Sequence, residues 1–243
     1  MGLQGGYKID ICFVIDSSGS MYPIIDKVKE RAKSMHTEIT AGLEKEGKNV
    51  SELRIKVIDY SDFATEKDDA IHNSAFFTMP ADVNAFSDCV NAISVVDAAG
   101  RGKGGDIREN GLEALHLALA SDWTPIPRSG KGRHIIVLFT DAEPLPLGAR
   151  EGCVGYEPIY PTNVADMEMA WNQEENDQDG EKIYPISHDG RRLVAFAPCA
   201  DGAGNWKEIL ANWEWAVHQE VNPDTGLEEL DYDFIIAEIV RSA

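Results

Sequence analysis

Tyr7-Lys8-Ile9-Asp10-Ile11-Cys12-Phe13-Val14-Ile15-Asp16-Ser17-Ser18-Gly19-Ser20 begins as a nearly unbroken apolar run and ends in a knot of small, oxygen-bearing residues. An apolar run such as Tyr7 to Ile15, without polar alternation, is what a strand buried on both faces shows, and such strands belong to parallel sheets covered on both sides. The run stops at Asp16. From about Ile24 to Glu46 the period changes: Ile25, Val28, Ala32, Met35, Ile39 and Leu43 recur at threes and fours, the buried face of a helix that Gly47 ends. The order is strand, turn, helix.

The same alternation repeats outward from this unit. A second strand is predicted from Leu53 to Tyr60, and a weaker edge strand from Ala75 to Met79, ahead of Pro80. Asp82 to Ile93 reads as a short helix. After the glycine-rich Gly100 to Gly105, Glu109 to Leu119 reads as another, with Leu112, Leu115 and Leu119 as its buried stripe. His134 to Thr140 is a second buried strand, again stopped by an aspartate, Asp141. A long crossover from Ala142 to Arg191 contains a helix near Asn163 to Trp171. Leu193 to Ala197 is then a strand, Trp206 to Trp213 a helix and Trp215 to Val221 a final strand. Leu227 to Val240 reads as a closing helix, although Phe234 to Ala237 also suits a strand. Trp206, Trp213 and Trp215 are expected in the core. Strands alternating with helices predict an α/β fold: a doubly wound, mostly parallel central sheet flanked by helices on both faces.

No Pro/Ser/Gly-rich linker divides the 243 residues, so residues 1–243 are read as a single domain, and 43% hydrophobic content supplies a sizeable core. Lys plus Arg total 22 against 42 Asp plus Glu, a formal charge of -20. Such a field repels phosphate backbones and anionic lipid, so neither nucleic acid nor a membrane is an expected partner. It favours divalent cations or a basic protein surface, or serves solubility alone. The N-terminus has no basic segment followed by an apolar run, and no stretch approaches the ~20 apolar residues of a membrane span, so a cytoplasmic location is expected. Cys12, Cys89, Cys153 and Cys199 are widely scattered and read as free thiols, which argues against a metal held through sulfur.

The chemistry concentrates in three segments. Asp16-Ser17-Ser18-Gly19-Ser20 presents a carboxylate and two hydroxyls from alternate positions of a tight turn, hard oxygen groups that suit Mg²⁺ or Mn²⁺; the plain alternative is a helix-capping turn. Phe139-Thr140-Asp141 puts a second aspartate at the carboxyl end of a second buried strand, where open parallel sheets have their ligand crevice. If those strands are neighbours, Asp16 and Asp141 face each other, and two carboxylates so placed call for a cation. Taken alone, Asp141 reads as a loop or capping residue. In Gly104-Gly105-Asp106-Ile107-Arg108-Glu109, glycines turn the chain before a helix, and either Asp106 or Glu109 has the reach to ligate; acidic residues also favour a helix start for dipole reasons alone.

These residues resemble a von Willebrand factor A domain with a metal-ion-dependent adhesion site, a Rossmann-like fold, over nearly the whole chain. The resemblance lies in the family's D-x-S-x-S after the first strand, matched by Asp16, Ser18 and Ser20, and in the aspartate after a later buried strand, matched by Asp141. Many relatives carry G-x-T in the third loop. Here Gly105-Asp106-Ile107-Arg108-Glu109 is similar instead to the D-x-P-E loop of the integrin β-subunit branch, with Arg108 in place of the proline, and Thr140-Asp141-Ala142 also resembles that branch. The resemblance implies Glu109 as the third-loop ligand and Asp106 as a weaker alternative. It implies one divalent ion, Mg²⁺ or else Mn²⁺ or Ca²⁺. The extra cation sites of the integrin branch are not carried over, because Pro23 and Ile24 stand where their acidic ligands belong. The C-terminal third is loosely similar to bacterial intracellular members.

On this resemblance the chain is a binding module rather than an enzyme: the ion takes an acidic side chain of a partner protein. Tyr- and Pro-rich Glu143 to Asn163, beginning beside Asp141, is expected to overhang the ion and set partner choice. The enzymatic alternative is a Mg²⁺-dependent phosphotransferase or phosphatase using a strand-end aspartate. Against it, Ser18 stands where such enzymes commonly place a second acid. Gly102-Lys103 and Gly130-Lys131 lack the upstream glycine and following Ser or Thr of a phosphate-binding loop. No G-x-S-x-G is present around Ser17, Ser18 or Ser20.

Overall fold

The computed structural model describes residues 6–97, 99–104, 108–126, 131–157, 162–172, 184–199, 203–221, 236–237 and 240, with Arg31 and His36 described by backbone alone. The elements follow in the order β1 (Tyr7–Asp16), α1 (Ile25–Lys45), β2 (Val50–Tyr60), α2 (Phe63–Glu66), β3 (Ile71–Asn73), β4 (Phe77–Met79), α3 (Val83–Ala92), β5 (Arg108–Glu109) and α4 (Gly111–Leu119). The second half runs β6 (Gly132–Phe139), β7 (Glu143–Pro144), α5 (Val164–Asn172), β8 (Arg191–Ala197), α6 (Trp206–Leu210) and β9 (Ala216–Glu220).

The main sheet has the order β3-β2-β1-β6-β8-β9, with β4 also on β2. β2, β1, β6, β8 and β9 run parallel to their neighbours, while β3 and β4 join β2 antiparallel. The fold is thus mixed α/β with a mostly parallel central sheet flanked by helices. The apolar run in β1 puts it at the centre, because both its faces must be covered. Ile9, Ile11, Phe13 and Ile15 pack with Val28, Ala32, Met35 and Ile39 of α1 and Phe86 and Val90 of α3. Cys12 and Val14 belong to the other core, with Leu112, Leu115 and Leu119 of α4, Trp171 of α5 and Trp206 of α6. Each Val, Leu, Ile, Phe or Met among them contributes roughly 1.5–3 kcal/mol by leaving water. Asp10, the polar interruption in the run, is tolerated because Arg54 holds it through two bonds of 2.9 and 2.6 Å and Thr124 N–H donates to it at 2.6 Å.

Local signals place the helix ends. Gly47 at φ +72° and the Lys48 N–H bonded back to Leu43 O at 2.9 Å close α1, as the sequence predicts. Three expectations need correction. Glu109 lies in β5, and α4 begins only at Gly111. The Trp206 helix ends at Leu210, short of Trp213. Trp215 is 57% exposed rather than buried with Trp206 and Trp213: it sits at φ +60° in the bend before β9, and the Arg192 guanidinium covers its ring from 4.5 Å. Trp215→Ala is therefore expected to change stability by less than about 1 kcal/mol, the worth of an exposed cation–π contact; thermal unfolding checks it, and a loss several times larger would restore Trp215 to the core.

Most of the predicted closing helix, Leu227 to Val240, lies outside the described residues; Ile236, Ala237 and Val240 are helical, and Val240 is buried against Gly42 of α1. No helix among the described residues is long and apolar enough to cross a membrane. All four cysteines are free.

Candidate functional site

β1 and β6 lie side by side with Ile15 opposite Phe139, so Asp16 and Thr140-Asp141 leave the same end of the sheet. Asp16 is fully buried. Its Oδ1 accepts the Ser18 N–H at 2.8 Å, the local closure that turns the chain back on itself, and its Oδ2 accepts the Thr140 hydroxyl at 2.7 Å. The turn brings Ser18 Oγ to 3.0 Å from Ser20 Oγ, and Ser20 Oγ donates to Asp141 Oδ1 at 2.9 Å. Ser18 is buried and Ser20 exposed, so this run of oxygens leads from the sheet end to solvent.

Glu109 reaches the cluster from β5, which pairs in parallel with β7 so that Glu109 stands opposite Pro144; the next N–H, of Leu145, donates to the Glu109 carbonyl at 2.8 Å. Gly104, at φ +84°, lies between the Glu109 carboxylate and Ser18. A Cβ there would collide with the carboxylate and stand 3.4 Å from Ser18 Cβ. Gly19 N–H donates to Lys103 O at 2.7 Å and ties this loop to the serine turn. Asp16, Ser18, Ser20, Glu109 and Asp141 are therefore gathered at one end of the sheet. Asp106 lies outside the described residues.

Burial, and then the charge of Asp141, push the Asp16 carboxyl up to about 7, against the pull of its Thr140 and Ser18 donors. Burial raises Asp141 as well, and the Ser20 hydroxyl moderates this. Tyr60, at the end of β2, has a phenol raised well above its ordinary value by burial and by the negative charge of Asp16, with Glu109 and Asp141 adding to it. Among the described residues no three His, Cys, Asp or Glu side chains form a metal-binding group. At this edge carboxylates and hydroxyls are interleaved instead, the donor chemistry a hard cation takes.

Sequence reasoning gave no role to two hydroxyl residues that build this edge. Thr140 holds Asp16 and also caps its own turn by accepting the Ala142 N–H at 3.0 Å. Ser17 faces away from the cluster: its N–H and hydroxyl both bond Tyr60 O, at 2.7 and 3.1 Å, pinning the turn to β2. The only sequence signal for Thr140 is its place just before Asp141. Ser17 carries none, since a side chain reaching a neighbouring strand leaves no local pattern.

The crossover after β7 leans toward the end of β2. Arg150 grips Asp62 through two bonds of 2.6 Å, and Tyr156 packs edge-on against Phe63. Gly148 N–H and the Tyr156 hydroxyl reach Glu113 Oε1 of α4 at 3.2 and 3.3 Å. The loop is thereby fastened to the start of α2 and to α4 as it leaves the edge that carries Asp141.

No protein-family model matches the sequence, and no curated protein matches it. Among solved structures the fold is similar to the pilus adhesin SpaC from Lactobacillus rhamnosus GG, with a TM-score of 0.53 and 16% identity over 98% of this chain and 31% of the adhesin. The open conformation of that adhesin gives a TM-score of 0.51 and 15% identity over 98% of this chain and 30% of the adhesin. Proximal thread matrix protein 1 of the mussel byssus aligns over 97% of this chain and 46% of its own, with a TM-score of 0.47 and 15% identity. The chain spans less than a third of the adhesin's length, and what it shares with the adhesin at this identity is the mixed α/β fold with a mostly parallel sheet.

Proposed function

We propose that this chain is a doubly wound von Willebrand factor A-type domain that holds one divalent cation, Mg²⁺ before Mn²⁺ or Ca²⁺, and uses it to bind an acidic side chain of a partner protein. The observation that carries this reading is the run Ser18 Oγ, Ser20 Oγ and Asp141 Oδ1, joined at 3.0 and 2.9 Å with Asp16 behind it. These hydroxyls satisfy one another and the Asp141 carboxylate; an oxygen-seeking ion would replace those bonds with its own. Ser18, Ser20 and Glu109 would hold it, with Asp16 and Asp141 bonding directly or through water and Asp106 as the alternative third-loop ligand. When bound, the ion supplies positive charge that accepts a partner carboxylate, which a protein of charge -20 otherwise repels. The free thiols suit a reducing compartment.

Two measurements test this reading together. Calorimetric titration of the metal-free chain should give a saturable Mg²⁺ isotherm, and affinity capture should retain a partner with Mg²⁺ but lose it with EDTA. Replacing the crossover Glu143 to Asn163, the segment expected to set partner choice, should change which protein is captured while leaving the isotherm in place. A titration that stays flat into the millimolar range, or capture indifferent to EDTA, removes the ion from the reading.

A further inference from the structure

After α3 the chain folds back on itself, Val95 to Asp97 pairing with Arg101 to Lys103. Val96 and Gly102 form an antiparallel bridge, Lys103 N–H donates to Val95 O at 2.9 Å, and Asp97 N–H donates to Arg101 O at 2.7 Å. Asp97 stiffens the tip by accepting the Ala99 and Arg101 N–H groups, each at 2.8 Å, and the Arg101 guanidinium at 2.8 and 2.7 Å. At its base Val95 is buried and shares a core with Val28 of α1 and Phe86 of α3. The returning arm lies against the serine turn. Gly19 N–H bonds Lys103 O at 2.7 Å, and a Cβ on Gly19 would stand only 3.0 Å from Gly102 Cα. Held between the core and the serine turn, this arm has little room to shift its backbone.

Gly104 continues that arm at φ +84°. A Cβ there would collide with Glu109 Oε1 and stand 3.3 Å from Glu109 Cδ and 3.4 Å from Ser18 Cβ. The Glu109 carboxylate thus lies in the space that a side chain at 104 would fill, and Ser18 borders the same space. With the backbone pinned through Gly102 and Lys103, a side chain at 104 would be accommodated by the party that can rotate, the end of the Glu109 side chain. We propose that Gly104 is a positioning residue: its missing side chain is what lets the Glu109 carboxylate lie beside Ser18. In treating Glu109 as a cation ligand the proposal rests on the function proposed above, whereas the contact between Gly104 and Glu109 stands without it.

A double-mutant cycle over the wild-type chain, Gly104→Ala, Glu109→Ala and the combined variant tests it with two readouts. In Mg²⁺ titrations Gly104→Ala should lower affinity by about tenfold or more, the cost of losing a group that orients a ligand, and by less than about twofold where Glu109 is already Ala. In EDTA, Gly104→Ala carries two costs: strain from a side chain at positive φ, and the collision with the carboxylate. Only the first survives in the Glu109→Ala chain, so the loss of Tm should shrink there by at least about 2 °C. Gly104→Asn, which tolerates positive φ yet carries a Cβ, should show the same coupling if Gly104→Ala does not fold. Equal losses of Tm or of affinity with and without Glu109 overturn the proposal, because Gly104 then serves only its own turn. A Gly104→Ala chain that binds Mg²⁺ as tightly as wild type overturns it too. A wild-type titration that stays flat would instead remove the cation, and the Tm cycle in EDTA would still decide the contact.

Discussion

Asp141→Ala is expected to lower Mg²⁺ affinity by at least about 100-fold, close to 2.7 kcal/mol, while the chain still unfolds cooperatively. Residues that only orient a ligand typically cost 10–100-fold when removed, and a charged group at the ion costs more. Asp141 Oδ1 accepts the hydroxyl of Ser20, the solvent end of the oxygen run. The side chain therefore stands where the cation reading needs charge, and it is only part-buried, so its removal opens no core cavity. Ser20→Ala should cost less, about tenfold, because it deletes a neutral donor and leaves both aspartates. If Asp141 merely finishes the turn, its loss should resemble that of a cap, about 0.5–2 kcal/mol of stability with Mg²⁺ affinity within twofold of wild type. Calorimetry at pH 8 separates the outcomes, and the second would leave the metal assignment without its second carboxylate.

Both aspartates stand out in the sequence because of what the chain displays locally. β1 and β6 are legible because a parallel strand covered on both faces must be apolar at every position, and an aspartate ending such a run stands out. Their adjacency was only a condition in the sequence; the observed pairing of Ile15 with Phe139 meets it. Glu109 shows the opposite case. A strand of two residues has no period, so β5 is invisible beside the strong helical stripe of Leu112, Leu115 and Leu119, and Glu109 is drawn into the helix. Its position depends on pairing with Glu143 and Pro144, more than 30 residues away. Trp215 fails for a related reason: apolar content argues for burial, yet the backbone at φ +60° turns the chain outward. Thr140 and Ser17 act across strands, and contacts of that kind are written in the fold rather than in any window of sequence.

The stability of metal-free protein should fall by about 4 kcal/mol as pH rises from about 4 to about 7, through Asp16 alone. Asp16 keeps its proton in the folded chain up to about 7, whereas the unfolded carboxyl releases it near 3.8. Across that window the native state holds a proton the unfolded state has lost, so the unfolding free energy declines with pH. The contribution is whole below 3.8 and gone above about 7. Other carboxylates titrate in the same range, so the measured quantity is the wild-type curve minus that of Asp16→Asn, which keeps the shape and cannot ionise. The difference should amount to a Tm change on the order of 10 °C between pH 4 and pH 8. Mg²⁺ should act in the reverse sense. At pH 5 it must displace the Asp16 proton and stabilises weakly; at pH 8 it meets a carboxylate already ionised, close to Asp141, and relieves their repulsion, so its stabilising effect should be greatest where the metal-free protein is weakest. A wild-type minus variant difference that stays flat from pH 4 to pH 8 would mean Asp16 ionises as an ordinary exposed carboxylate. In that event Asp16 would carry no stored electrostatic cost for a cation to relieve.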